Sequence, residues 1–343
     1  MRSEKRVMVI GGGRSNEHEV SLASAAAVRH ALGSLEYDVH GLTILPDGRW
    51  AHVDGGAVAG GAPEAFRLIC QSDVVFPAVH GARGEDGTLA GLCEIAGVPI
   101  VGSGVRAGAL AMDKWTTKLI AAELGLSVAP GMVVTRAQSF DVPSTWIFPS
   151  VVKPASSGSS HGVSVVDHAT QLPAALDAAF QHDDRVLVER LIVGREVDIA
   201  VLKRADGTLH LSPPLEITVR SGTVFDTDSK YGAVQPFTIP ADLTTAERGK
   251  VEQAAVRLFR AIGCGGVARV DFFLTPDGPV LNEINTMPGL TPLSQVPLMF
   301  AAAGIPFPKL LDALIDAALH RHVRLAEMQH DRPRDSTRPG RAS

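Results

Sequence analysis

Near the C-terminal end of the chain, Arg269-Val270-Asp271 and Asn282-Glu283-Ile284-Asn285 stand on either side of a Thr275-Pro276-Asp277-Gly278 turn. Val267 to Leu274 and Pro279 to Ile284 are apolar-rich runs, and two such runs flanking a Pro-Asp-Gly turn predict a β-hairpin. Side chains alternate faces along a strand, so Arg269 and Asp271 point one way together, as do Glu283 and Asn285. A turn centred near Pro276 and Asp277 sets Asp271 roughly opposite Glu283. Like charges across a ladder are destabilising unless something compensates them. Two carboxylates with an amide oxygen are the hard-oxygen set that Mg2+ takes while leaving room for phosphate oxygens. The competing reading is a solvated hairpin face with a chance charge cluster.

A second constellation is Lys153-Pro154-Ala155-Ser156-Ser157-Gly158-Ser159-Ser160-His161-Gly162. It leaves an apolar run, Ile147 to Lys153, and enters another, Val163 to Val166, so it can fold back as a flap between antiparallel strands. Glycines admit a ligand close to backbone N–H groups, serines add hydroxyl donors, and Lys153 supplies a point charge suited to phosphate. No Gly-Lys-Ser/Thr follows, so it is not a Walker loop. At the N-terminus, Gly11-Gly12-Gly13-Arg14-Ser15-Asn16-Glu17-His18-Glu19 follows a first strand and opens a helix. Its spacing fails GxGxxG, which argues against a dinucleotide site. His80-Gly81-Ala82-Arg83-Gly84-Glu85-Asp86-Gly87 follows the strand Val74 to Val79, at the carboxyl edge where α/β sheets bind ligands.

The elements that must position these residues alternate between strand and helix periodicity. Strands at Val7–Ile10, Val39–Leu45, Val74–Val79 and Pro99–Val101, with helices at Ser21–Leu32 and Leu89–Ala96, predict a doubly wound N-terminal unit. A helix over Met112–Leu124 leads to strands near Val133 and at Ile147–Lys153, then a helix at Leu172–Phe180. Strands at Val186–Glu189, Val197–Leu202 and Leu209–Leu211, a polar stretch from Arg220 to Ile239 and a helix at Thr245–Ile262 precede the hairpin. From about Leu325 the chain is rich in Arg, Pro, Asp and Ser without periodicity, and reads as a disordered tail. The expected division is 1–108, 109–190, 191–324 and the tail 325–343.

Composition narrows the function. With 343 residues, 45% of them hydrophobic, the chain can bury two or three cores. A net charge of -5 argues against nucleic acid as a partner. Cys70, Cys93 and Cys264 form no metal-ligand spacing and fit a reduced cytoplasm. The short apolar run Val7–Ile10 ends in glycines, so it is neither a signal peptide nor a membrane span. Arginine outnumbers lysine 24 to 8, so each lysine in a polar or glycine-rich context carries weight.

Seven segments, in order, resemble the D-alanine:D-alanine ligases of the ATP-grasp superfamily. They are Gly12–Ser21, His80–Gly87, Met112-Asp113-Lys114, Val152-Lys153-Pro154 with its serine-rich loop, Lys230-Tyr231, Arg269-Val270-Asp271 and Asn282–Gly289. The likeness spans roughly residues 5 to 320. It implies an α/β ATP-grasp fold of three α/β domains, the first a doubly wound pre-ATP-grasp domain, and ligation of two D-alanine molecules for peptidoglycan synthesis. ATP would lie between the second and third blocks, with Lys114 and Lys153 on its phosphates, Glu189 and Glu196 near adenine and ribose, and Lys230 at the transferred phosphate. Asp271, Glu283 and Asn285 would hold two Mg2+ ions, or Mn2+. Arg269 and the Gly289 N–H would stabilise a tetrahedral oxyanion. Glu17 would anchor the first substrate and join Ser159 and Tyr231 in a hydrogen-bonded set, and Ser294 would hold the second substrate's carboxylate. The resemblance also implies a cytoplasmic homodimer acting on small molecules, with no membrane partner.

The chain departs from the family pattern at the acceptor pocket and the adenine rim. The loop Val224–Tyr231 lacks a further tyrosine common in relatives, and the segment after it is slightly short. Gln295 stands where a leucine is common, and Leu191 where a larger aromatic often follows the adenine-contacting glutamate. Gln295 either hydrogen-bonds a hydroxymethyl group, favouring D-serine as a tolerated acceptor beside D-alanine, or faces solvent. Lys230-Tyr231 favours an amine acceptor over D-lactate. The alternatives are a related ligase with another acceptor, and a non-catalytic nucleotide-binding homologue.

Overall fold

The computed structural model describes residues 5–136, 143, 145–218 and 237–330. Strand β1 (Lys5–Gly12) leads through the helix His18–Leu32 to β2 (Tyr37–Ile44) and β3 (Trp50–His52), and the helix Gly61–Cys70 leads to β4 (Val74–Pro77). These strands form a sheet in the order β3-β2-β1-β4, with β1 parallel to both β2 and β4. The run at Pro99–Val101 meets this sheet only as a bridge between Val75 and Ile100. The expected helix over Met112–Leu124 is found as Lys114–Glu123, and a further helix, Val105–Met112, immediately precedes it. Asp113 is extended between them because its side chain caps Lys114–Glu123, accepting from the Thr116 N–H at 2.7 Å.

A short β5 (Ser127–Val128) precedes a second sheet made of β6 (Gly131–Thr135), β7 (Ser150–Pro154), β8 (Ser164–Val166) and β9 (Arg185–Arg190), ordered β6-β9-β7-β8. Strands β7 and β8 are antiparallel, so the serine-rich loop does fold back between them as a flap. The third sheet contains β10 (Arg195–Lys203), β11 (Leu209–Leu211), β12 (Leu215–Ile217), β13 (Phe237–Thr238), β14 (Val267–Thr275) and β15 (Gly278–Asn285). Its order is β13-β12-β10-β14-β15-β5, with β11 beside β10. Most of the polar stretch 220–239, including Lys230 and Tyr231, lies outside the described residues.

Alternation along the third sheet separates chemistry from core. Val197, Ile199 and Val201 of β10 and Val270, Phe272 and Leu274 of β14 enter one apolar cluster. The helix Thr245–Ile262 packs into the same cluster with Val251, Ala254, Ala255, Leu258, Phe259 and Ile262, a three-and-four spacing that makes a single stripe. The opposite face carries Glu196, Asp198, Arg269 and Asp271. In β15 the period slips: Leu281 and Ile284 both enter the core, because Phe272 pairs with Leu281 while Asp271 pairs with Glu283, leaving Asn282 as a β-bulge. The two-residue turn alone would have set Asp271 opposite Asn282. The bulge is what brings the two carboxylates into register.

The C-terminal helix Phe307–His330 runs six residues into the stretch read as a disordered tail. The sequence Leu325-Ala326-Glu327-Met328-Gln329 consists of good helix formers, which prolong the preceding helix before the Pro- and Arg-rich segment begins. Residues 331–343 lie outside the described residues. No single helix among the described residues is long and apolar enough to cross a membrane.

The helix beneath the third sheet starts with a full capping box: Thr244 accepts from the Glu247 N–H at 3.2 Å, and Glu247 accepts from the Thr244 N–H at 2.8 Å. Thr244→Ala should cost about 1 kcal/mol of stability. Urea unfolding should show a lower midpoint with an unchanged slope, and an unaltered midpoint would mean the cap contributes nothing.

Candidate active site

Three sheets converge on a cavity of ≈ 1330 Å³, large enough for a nucleotide together with small substrates. Of the fourteen residues singled out for a site, the twelve that are described all line it. Glu17 arrives on the turn after β1, Lys114 at the start of its helix, Lys153 from β7 and Ser159 from the flap. Glu189 comes from β9, Glu196 from β10, Arg269 and Asp271 from β14, and Glu283 and Asn285 from β15, with Gly289 and Ser294 on the segment that follows.

The hairpin face is a compensated charge cluster. Arg269 donates to both oxygens of Asp271 at 2.7 Å, and Asn285 Nδ2 donates to Asp271 Oδ2 at 2.9 Å. Strand register places Asp198, Asp271 and Glu283 in line across β10, β14 and β15. Asp198 was not anticipated; its spacing of two from Glu196 on one strand, and hence its shared face, is the signal that would have found it. It is 1% exposed, 3.5 Å from Arg269 Nε, and its Oδ1 has no hydrogen-bond partner among the described residues. Burial, with Asp271 beside it, pushes the Asp198 pKa well above the usual carboxylate range. For Arg269, burial works against the charge but Asp271 outweighs it and raises the pKa further.

Gln295 does not face solvent unattached. Its Nε2 donates to Asp198 Oδ2 at 3.0 Å, from the start of the helix Gln295–Ala302. Beside it, Ser294 Oγ meets Thr291 Oγ1 at 2.8 Å and accepts from the Thr291 N–H at 3.1 Å. A Cβ at Gly289 would stand 3.0 Å from that same Oγ, so glycine keeps the Ser294 hydroxyl and the Gly289 backbone close together.

Among the described residues, the lysines at the cavity are paired. Lys114 Nζ lies 3.1 Å from Glu283 Oε2 and donates to the Ser157 carbonyl at 2.6 Å, tying the flap to the hairpin. Burial disfavours its charge, but Glu283 prevails and holds its pKa above the ordinary lysine value. Lys153 Nζ is 2.6 Å from Glu189 Oε1 and donates to Asn282 Oδ1 at 3.2 Å, so the bulged residue is re-aimed at a lysine. A further lysine, Lys118, lies 3.0 Å from Glu189 Oε2. Burial alone would raise the Glu189 pKa; Lys153 and Lys118 overcome it and hold it low.

Glu17 is where three loops meet. It accepts a hydrogen bond from Ser159, which sits at φ 51°, a left-handed conformation uncommon for serine. A Cβ at Gly81 would fall 2.8 Å from Glu17 Oε2, so the turn after β4 must bring bare backbone there. The same turn supplies His80, whose Nδ1 faces the Met287 carbonyl at 2.9 Å and the Glu85 carboxylate at 3.6 Å. Two acceptors on that side require Nδ1 to carry a proton. Burial raises the Glu85 pKa and opposes charge on His80, yet Glu85 more than offsets the latter and raises the His80 pKa.

Because the Asp198 pKa is raised in the folded state, folding takes up a proton between the unfolded and folded values, and this group's contribution falls as pH rises through that window. Asp198→Asn keeps an oxygen for Gln295 while removing the charge. It should therefore raise the melting temperature of the ligand-free protein by a few degrees at about pH 8, and by less near pH 5. Loss of stability at both values would contradict this account of Asp198.

The family models described as D-ala D-ala ligase N-terminus and C-terminus match residues 6–103 and 120–316. The chain is 40% identical to D-alanine--D-alanine ligase of Mycobacterium ulcerans and 41% identical to that of Mycobacterium tuberculosis, in each case over 93% of this chain and 97% of the relative. Among solved structures, the D-alanine-D-alanine ligase of Coxiella burnetii superposes with TM-score 0.80 at 31% identity, over 95% of this chain and 97% of that one. The VanG D-Ala:D-Ser ligase of Enterococcus faecalis gives 0.78 at 33%, over 92% and 100%. The Bacillus anthracis D-alanine--D-alanine ligase complexed with ATP gives 0.78 at 26%, over 94% and 99%. With both halves matched and the fold shared, this chain belongs to the D-alanine--D-alanine ligase family, of ATP-grasp fold.

Proposed function

We propose that this protein joins two D-alanine molecules into D-alanyl-D-alanine at the expense of ATP, supplying peptidoglycan precursor synthesis. The observation that carries the reading is the row Asp198, Asp271 and Glu283 with Arg269 and Asn285, facing a cavity that Lys114 and Lys153 line beside it. A polyphosphate fits cations set in a wall, and a carboxylate-rich face fits the divalent cation that accompanies it.

Lys114 and Lys153 bind the ATP phosphates, and Glu189 and Glu196 line the end of the cavity taken by adenine and ribose. Lys230 is assigned to the transferred phosphate from family resemblance. Glu17, held to Ser159, receives the ammonium of the first D-alanine and keeps the flap down, with Tyr231 as the further member of that set by resemblance. The first substrate's carboxylate oxygen attacks the γ-phosphorus, the bond to the β-phosphate oxygen breaks, and ADP leaves an acylphosphate. The second D-alanine, its carboxylate held at Ser294, attacks the acyl carbon through its deprotonated amine. Arg269 and the Gly289 N–H donate to the oxyanion that develops, and phosphate departs as the peptide bond forms.

Asp271, Glu283 and Asn285 fit Mg2+ because all three are oxygen donors on one face, with Asp271 and Glu283 in direct cross-strand register. Mg2+ bound there supplies positive charge to the phosphates as the transfer proceeds. The ligands' own task is to exchange partners: Glu283 must release Lys114, and Asp271 must release Arg269, for the cations to face substrate.

Glu283→Gln should still fold cooperatively, with a lower melting temperature because Lys114 loses its counter-ion, and at a temperature where it is fully folded it should lose D-alanine-dependent ATP turnover by about a hundredfold or more, read as phosphate release. Normal turnover would end the metal assignment. For the acceptor, Gln295 presents an amide whose donor is already committed to Asp198, which supports D-alanine in both positions with D-serine tolerated. Products formed from D-alanine mixed with D-serine and D-lactate should be chiefly D-alanyl-D-alanine, with D-alanyl-D-serine as the minor species. A predominant ester would overturn this choice.

A further inference from the structure

Glu189 carries two ammonium groups, and only one of them belongs to the cavity. Lys153 reaches it from the cavity wall at 2.6 Å. Lys118 reaches the other carboxylate oxygen from behind, at 3.0 Å, from one turn beyond Lys114 on the helix Lys114–Glu123. Lys118 is 3% exposed, meets Glu189 as an ion pair without a hydrogen bond to Oε2, and donates to the Leu281 carbonyl of β15 at 3.2 Å, so it bridges two strands. Glu189 itself is 4% exposed. At this depth a carboxylate deprived of its only counter-ion is strongly unfavourable. A nucleotide phosphate recruiting Lys153 would therefore compete with Glu189 for it, and the outcome depends on what Glu189 has left.

We propose that Lys118 is a positioning residue for nucleotide binding: it stays on Glu189 when Lys153 turns to phosphate, so that Lys153 leaves without stranding a buried negative charge. Two cations on one carboxylate give this wall a surplus positive charge, which a polyphosphate neutralises. Lys118 acts through Glu189 and never touches the nucleotide. Burial pulls its pKa down to about 8 against the pull of Glu189, so it remains mainly charged near neutrality while little of its charge is wasted on solvent. The inference rests on the reading of Lys153 as a ligand of ATP.

The test is calorimetric titration with ATP and Mg2+, paired with D-alanine-dependent kinetics. Lys118→Met should weaken ATP binding about tenfold or more and raise KM for ATP in step, with kcat changed by less than about threefold. Lys118→Arg, which restores a buried cation, should recover most of the affinity. In a Glu189→Gln background, adding Lys118→Met should cost little more, because the carboxylate it serves is gone. A structural role alone would produce neither the split between KM and kcat nor that loss of additivity. Should Lys118→Met melt without cooperativity, Lys118→Gln carries the same expectations. Unchanged ATP affinity in the Lys118 variant, or losses that simply multiply in the double variant, would overturn the inference while leaving Lys153→Met weakened. If Lys153→Met also binds ATP normally, the reading of the cavity fails and the inference falls with it.

Discussion

The constraint on which this architecture depends is mutual neutralisation of charges that have been taken out of water. Lys114 sits on Glu283, Lys118 and Lys153 on Glu189, and Arg269 between Asp271 and Asp198. Breaking such a pair by removing one member leaves a buried ion uncompensated, at a cost of about 3–5 kcal/mol. The backbone elements that carry the pairs are thereby locked together. The helix Lys114–Glu123 is tied to β15 and β9, and β7 to β9, by charges that none of them could keep alone.

The same pairing makes the cavity selective before any ligand enters. Lys114 and Lys153 already have carboxylates, so a weakly charged visitor gains little by displacing them. A polyanion brought with a divalent cation satisfies both halves of each broken pair. The bulge at Asn282 is part of this economy of position, since it brings Asp271 into line with Glu283 and turns Asn282 toward Lys153 in a single irregularity.

Much of this could be read from residue order because it depends on local rules. The hairpin, the shared face of Arg269 and Asp271 and the stripe of the helix Thr245–Ile262 follow from period and turn chemistry. What could not be read depends on other segments. Lys118 looks like one more polar residue on a helix surface until β9 is laid against it, and Asp198 gains meaning only when β14 pairs beside it. Asp113 caps the helix Lys114–Glu123 and separates it from Val105–Met112, a break that periodicity does not register. The expected position of Asp271 opposite Glu283 was right only because a bulge supplies the missing residue, which no turn rule announces.

The N-terminal sheet does not own its whole core. Val7, Val9 and Phe76 share an apolar cluster with Leu310, Leu311, Leu314 and Ile315 of the last helix, and Tyr37 Oη donates to Asp312 at 2.6 Å. The last strand of that sheet ends at Pro77, whereas the covering helix begins at Phe307. On the ribosome, the helix His18–Leu32 covers part of that face with Ala25, Val28 and Leu32, and the remainder must wait for nearly all the remaining chain before it is covered. In that interval the uncovered part of the face is open to aggregation.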